Sequence, residues 1–290
     1  MTDNWNRWGA DDEIGALNLN GEAEVRNATA LVRQGKVMSL AQPLFPGMAM
    51  PSHRAGLMHM MNRDGGDYAA GAKVRGGFQF AEDTIVMPVH TGTHIDALCH
   101  CWYDDTLFNG FPAAGIRSTR GAERCGIDKM PPIVGRGLLL DFVASTGAEL
   151  EDGREITLGD VERALAKAGT KIESGDIVLL RTGWLERQGA PRSVDFNKEP
   201  GLGLEAAEYI AREGAAVVGA DNYAVEVLPF SPGLVFPVHQ RLIRDYGIPL
   251  LENLVLKDLA EAGATTFLFI AAPLPLRGAT GSPLNPIAVL

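Results

Sequence analysis

Three of the six histidines in this 290-residue chain fall within eleven positions, His90-Thr-Gly-Thr-His94-Ile-Asp96-Ala-Leu-Cys-His100, with a carboxylate among them. Neutral imidazoles and a carboxylate in so short a stretch make a nitrogen and oxygen donor set for a borderline divalent ion such as Zn²⁺ or Mn²⁺. The competing reading is a group of satisfied core or capping histidines. Three such residues beside a carboxylate favour the metal.

The spacing limits how these groups can meet. On one helix, at about 100° per residue, His90 and His94 share a face, while Asp96 and His100 share another roughly 120° away. A single regular helix therefore cannot bring all four to one point. Thr84 to His90 is rich in β-branched and apolar residues and predicts a strand; Gly92 permits a sharp turn, and Thr93 suits a helix N-cap. The spacing thus predicts a strand ending at His90, a tight turn carrying His94, and a short helix on which Asp96 and His100 lie one turn apart. Cys99 and Cys101 would point about 100° to either side of His100. No CxxC pair supports a thiolate site, so they and Cys125 read as small buried hydrophobes.

Three protein ligands, His90, His94 and Asp96, leave a coordination position open, the mark of a catalytic metal rather than a structural one. Water bound there has its pKa lowered toward about 7 and can attack a carbonyl polarised by the ion. His100 is the candidate general base that takes the water's proton and returns it to the leaving nitrogen. A further contribution should come from the second half of the chain. Glu252 is embedded in Ile-Pro-Leu-Leu-Glu-Asn-Leu-Val-Leu, and a carboxylate in such an apolar run needs a buried partner. His239 follows the turn-rich Pro229-Phe-Ser-Pro-Gly; taken alone it reads as a capping or surface residue.

The cluster resembles a known family signature. The pattern His-x-Gly-Thr-His-x-Asp-x-x-x-His is similar to that of the cyclase family of metal-dependent hydrolases, which includes bacterial kynurenine formamidases, isatin hydrolases and cyclic-imide hydrolases. The opening Trp5-Asn-Arg-Trp8 through Asn18, the stretch Trp102 to Phe111, and His239 followed by Glu252-Asn-Leu also resemble the longer members. Formamidase-like members usually carry proline two residues after the motif's aspartate, where this chain has Leu98. The resemblance implies a swivelling β/β/α architecture, places His239 and Glu252 at the metal site with His239 among the catalytic residues, and allows one ion or two, bridged by Asp96. It also implies a homodimer or homotetramer.

The remaining sequence fits an α/β protein. Glu22 to Arg33, Thr157 to Ala168, Leu204 to Glu213 and Val238 to Tyr246 read as helices, with Thr157 as cap and Asp160 in the box position. Strands are predicted near Val37 to Leu40, Gly137 to Val143, Asp176 to Thr182, Ala215 to Ala220 and Thr265 to Ala272, with mixed strand and loop from Pro249 to Leu256. The Pro- and Gly-rich Pro43 to Gly77 reads as a long functional loop or lid. No repeat or low-complexity linker divides the chain, which reads as one domain over 1–290. A net charge of −10 argues against nucleic acid or an anionic membrane as partner. Three cysteines form no even framework, no stretch approaches a membrane span, and the first residues contain no signal-peptide core, so a cytoplasmic setting is expected.

For substrate, His59, together with His53, Arg63 and Asp67 in the long loop, could bind polar edges. Trp102 and Phe108, with Trp5, Trp8 and Phe111, could wall a flat ring. Asp221-Asn222, after a buried strand, sits where α/β proteins place ligand groups or supports a histidine. No Gly-x-Ser-x-Gly elbow, Walker loop or dinucleotide fingerprint is present. The sequence thus predicts a metal-dependent hydrolase that opens a cyclic amide or imide, with arylformamidase or lactone hydrolase as alternatives and a non-catalytic metal-binding protein as the rival from another class.

Overall fold

The computed structural model describes residues 3–72, 75–188 and 194–290. Its core is a nine-stranded sheet of β1 (Val37–Ser39), β2 (His94–Asp96), β3 (Ile133–Asp141), β4 (Ile177–Arg181), β5 (Val217–Ala220), β6 (Leu250–Glu252), β7 (Thr266–Ala271), β8 (Gly281–Pro283) and β9 (Ile287–Val289), in the order β1-β9-β7-β3-β4-β5-β6-β2-β8. The central strands β3 to β6 pair in parallel, and the outer pairings at both ends are antiparallel. Every residue of β4 and β5 is buried. Continuous apolar runs of this kind are what a parallel sheet covered on both faces requires.

Helices α1 (Leu158–Ala168) and α2 (Leu204–Arg212) occupy the two crossovers between β3, β4 and β5. Both show the apolar stripe that the sequence predicts. The N-terminus of α1 forms the expected capping box: the Asp160 carboxylate accepts from the Thr157 backbone N–H at 2.9 Å, and the Thr157 hydroxyl oxygen accepts from the Asp160 N–H at 3.3 Å. Gly169 closes the helix in the left-handed conformation, where a side chain would be strained. The α/β reading is thereby borne out, and the helix expected over Glu22–Arg33 spans Glu22–Thr29.

Three local expectations are corrected. Thr84 to His90 does not run as one strand into the site: Glu82–Val86 pairs with Met58–Arg63 as a separate exposed hairpin, and a turn carries the chain on to His90. Pro88 lies in that connection and has no N–H to donate to a ladder. The segment Pro43 to Gly77 is accordingly not all loop. Asp96 to His100 is not helical either; His94–Asp96 is a strand held on both sides, by β6 and by β8. Those two partners come from more than 150 residues downstream, so no local pattern announces them. Thr93 caps no helix and instead donates its hydroxyl to the Asn253 carbonyl at 2.6 Å. Finally, Val238 to Tyr246 is one helical turn, Pro237–His239, continued in the wider π-helical winding from Gln240 to Asp245. Among the described residues no helix is long and apolar enough to cross a membrane.

Candidate metal and active site

Side chains two apart on a strand share a face, so β2 presents His94 and Asp96 together. The antiparallel register sets Glu252 of β6 directly opposite His94, and directly opposed residues lie side by side; His94 Nε2 is 3.0 Å from Glu252 Oε2. Gly92, with φ of +59°, turns the chain so that His90 arrives from above. The positive φ favours glycine there, and a Cβ would in addition sit 2.5 Å from the end of the Leu44 side chain, which would have to shift. His90 Nδ1 lies 2.8 Å from Asp96 Oδ1. His239, at the end of the Pro237–His239 turn, brings Nε2 to 3.2 Å from Glu252 Oε1 and 3.8 Å from Asp96 Oδ2. His100 closes the ring, with Nε2 4.0 Å from the same Asp96 oxygen.

The outward edges of three imidazoles are tied down. His94 Nδ1 meets the Gly92 carbonyl at 2.8 Å. A carbonyl only accepts, so Nδ1 is the protonated nitrogen and Nε2 keeps its lone pair toward the centre. His239 Nδ1 is held by Glu226 at 2.6 Å, and His90 Nε2 by the Thr280 hydroxyl at 3.0 Å. Such anchoring of the far nitrogen is the usual arrangement for metal-binding histidines. At the centre, His90 Nδ1, His94 Nε2 and both Asp96 oxygens are buried, and their close approaches to one another and to Glu252 do not have hydrogen-bond geometry. Unsatisfied buried polar atoms cost about 1–3 kcal/mol each, and here they converge. His90, His94 and Asp96 form one group able to hold an ion; Asp96, His100 and His239 form a second that shares the carboxylate. These residues fit a divalent cation.

The charges agree. Burial raises the Asp96 carboxyl, but the neighbouring His100, His90 and His94 outweigh it and hold it well below the usual carboxylate range. Burial lowers the His239 imidazole, yet the flanking Glu226 and Glu252 raise it well above its ordinary value. His100 is pushed down to about 4, chiefly by burial, with Asp96 opposing and His90 and His239 adding to the fall. It is therefore neutral at neutral pH and has a free lone pair.

A pocket of about 220 Å³ opens against His90 and Gly92, walled by Phe45, Met48, Trp184, Phe196 and Tyr223, with Arg54 among its few polar groups. An apolar hollow with a few convergent polar groups is the usual form of a small-molecule site.

The Cyclase family model matches residues 38–227 of the chain. The chain belongs to the cyclase family. A crystal structure described as a novel cyclase superposes with a TM-score of 0.91 at 37% identity, covering 99% of this chain and 97% of that one. An isatin hydrolase of Roseibium aggregatum is 27% identical over 96% of this chain and 95% of its own length. A kynurenine formamidase of Bacillus cytotoxicus is 27% identical over 70% of this chain and 77% of its own length. The swivelling β/β/α architecture of the cyclase family is thus the fold of this chain.

Within this cyclase fold the six residues expected near the metal, His90, His94, Asp96, His100, His239 and Glu252, come together. The expected substrate residues do not. His59 sits on the exposed hairpin, 2.6 Å from Asp83, and Arg63 and Asp67 face each other at 3.9 Å beside it. Phe108 is fully buried in the core, its ring so close to Gly247 that a Cβ there would be 2.6 Å away. Trp102 is 41% exposed and lies outside the pocket lining. Trp5 stacks under Arg244, Trp8 under Arg7 and Phe111 under Arg124. The aromatic wall exists, but other aromatics build it.

Among the described residues Asp221 supports no histidine. It accepts hydrogen bonds from the Thr182 N–H, the Thr182 hydroxyl and the Gly183 N–H, fixing the turn that delivers Trp184. Burial dominates and pushes its carboxyl up to about 6 against those bonds. Two acids escaped sequence reasoning. Glu226 holds His239. Glu199 accepts from the Tyr223 and Ala224 N–H groups at 2.8 Å each and so sets the Tyr223 wall. For Glu226 the signal was available: it lies in Tyr-Ala-Val-Glu-Val-Leu, a carboxylate in an apolar run like that of Glu252.

Proposed function

We propose that this cyclase-family chain is a metal-dependent amidohydrolase that cleaves the C–N bond of a cyclic amide or imide, or of a related small amide such as an arylformamide. The observation that carries this reading is the convergence of buried, unpartnered His90, His94 and Asp96 atoms beside an apolar pocket of about 220 Å³. The names of the relatives, an isatin hydrolase and a kynurenine formamidase, support the same bond class.

His90, His94 and Asp96 would hold a zinc or manganese ion, with Glu252 completing the set. The second group around Asp96 includes His100, so a further ion held there would engage the histidine that the proton transfer needs. When bound there, a divalent ion would supply Lewis-acid polarisation of the amide carbonyl and would lower the pKa of water toward about 7. His100, its side chain 27% exposed at the rim, accepts the water's proton at Nε2 and returns it to the departing nitrogen. His239, gripped by Glu226, keeps the Glu252 and Asp96 carboxylates in place. Met48, Trp184 and Phe196 shut bulk water out and hold a flat ring near His90.

The partner is a small molecule. A homodimer or homotetramer is supported by the exposed Met58, Met60, Met61 and Ile85 on the hairpin; a monomer by light scattering would reject it. We take 1–290 as one working unit in the cytoplasm. The test of function is a panel of hydantoin, succinimide, isatin, N-formylkynurenine and a dienelactone, assayed with added Zn²⁺ or Mn²⁺. Hydrolysis of at least one amide or imide is expected, lost on chelation while the circular dichroism spectrum persists. A protein that binds metal yet hydrolyses none of them, or that simply unfolds on chelation, would return the case to a structural metal site.

A further inference from the structure

We propose that Arg54 is a specificity residue that selects substrates carrying an anionic group, a carboxylate in particular, beyond the amide to be cleaved. Arg54 lines the pocket against His90. One arm of its guanidinium, Nη1, donates to the His90 carbonyl at 2.7 Å, and the group lies 5.4 Å above the Tyr223 ring. These two contacts fix where the guanidinium sits. They also tie it to the backbone of a residue whose ring belongs to the metal-binding group.

They leave most of it unused. A guanidinium carries five N–H donors in a planar fork matched to a carboxylate, and one of them is engaged here. Among the described residues no carboxylate pairs with Arg54, whereas Arg181, Arg136 and Arg241 each face at least one acid. Among the same residues Arg7, Arg33, Arg117 and Arg277 also pair with no acid but are exposed, whereas Arg54 is half-buried at the pocket. The surrounding wall is mostly apolar, and its other polar side chains, Gln42, Gln188 and Asn253, carry no negative charge to neutralise the cation. A partly buried charge in such surroundings is stabilised by an anion arriving with the ligand. The flat ring lies between Trp184, Phe196 and Tyr223, its amide directed at the His90 and Asp96 side and its anionic substituent at Arg54.

This inference deepens the hydrolase reading and rests on it for turnover, but not for binding. Two arms separate them. In the first, the metal-loaded protein is titrated calorimetrically with benzenesulfonate, a flat-ring anion that is a poor metal ligand, and with neutral methyl phenyl sulfone. The expected result is at least tenfold tighter binding of the anion, a preference that Arg54→Gln abolishes and Arg54→Lys partly restores. In the second, kcat/KM is compared for 4-carboxyphthalimide and phthalimide. The ratio should favour the carboxylated imide and fall about 10–100-fold in Arg54→Gln, the worth of a hydrogen-bonded charge. Equal losses for both imides would show that Arg54 only holds the His90 backbone and would overturn the proposal, as would equal binding of anion and sulfone. If neither these imides nor the panel above turns over while the anion preference and its loss in Arg54→Gln are present, the hydrolase reading fails and the anion site stands.

Discussion

Replacing Glu226 with glutamine removes one charge and almost no volume, and the hydrogen bonds around it allow the consequence to be worked out. Its Oε1 accepts from the His239 N–H at 2.9 Å and from His239 Nδ1 at 2.6 Å, while Oε2 accepts from the Val238 N–H at 3.0 Å. All three are donors, and a glutamine has one oxygen. In either orientation its NH₂ group faces an N–H, so at least one bond is lost and a buried donor is left without a partner, costing about 1–3 kcal/mol. The contact to Nδ1 also changes from charge-assisted to neutral, roughly halving it. Since His239 Nε2 reaches Glu252 and Asp96, a loosened ring disturbs both carboxylates. Partners of this kind are worth about 10–100-fold in metal affinity or activity, which is about 1.4–2.7 kcal/mol. The assay is calorimetric titration of Zn²⁺ or Mn²⁺ into the stripped protein, followed by turnover at saturating metal. Wild-type affinity and turnover in Glu226→Gln would refute the reasoning. A lowered melting temperature with both unchanged would mean that Glu226 secures the Pro237–His239 turn and does not govern the ring.

Three further outcomes are expected. His94→Ala should lose the metal and the activity while keeping the fold, and a variant with full metal content by elemental analysis and full turnover would remove His94 from the site. His100→Ala should retain metal but lose about 10²–10⁴-fold in turnover; an unaltered kcat would take it out of the proton transfer. The third concerns stability. Burial raises the Asp160 carboxyl, but the Thr157 and Arg154 hydrogen bonds prevail and lower it below its ordinary 3.8. A depressed folded pKa means that its contribution is complete above about pH 4 and disappears as pH falls through the folded value. Asp160→Asn should therefore cost about 1 kcal/mol, or roughly 2 °C in melting temperature, at pH 7, a deficit that shrinks as pH falls below about 4; an equal deficit at neutral and acid pH would refute the charge argument.

The metal cluster was legible in the sequence because its chemistry is carried by residue type. Histidines and an aspartate at this density have few other uses, and Glu252 declared itself by sitting charged within an apolar run. The helices over Leu158–Ala168 and Leu204–Arg212 and the strands Ile177–Arg181 and Val217–Ala220 were legible too, since their periodicity and capping residues act within a few positions of one another. What failed were the local geometries set by backbone partners far along the chain. His94–Asp96 looked like the entry to a helix because its hydrogen bonds run to Leu250–Glu252 and Gly281–Pro283, and local spacing holds no record of them. The aromatic wall was expected from Trp5, Trp8, Trp102, Phe108 and Phe111, whereas it is built by Trp184, on the turn that Asp221 fixes, by Tyr223, whose N–H donates to Glu199, and by Phe196 packed against both. Sequence by itself determined which atoms could bind an ion, because ligand chemistry is a property of the side chain. Tertiary structure alone decided which of their nitrogens face inward, which face of β2 they share, and what ring and charge the neighbouring pocket can receive. Those depend on hydrogen bonds and packing between segments that meet only when the sheet closes.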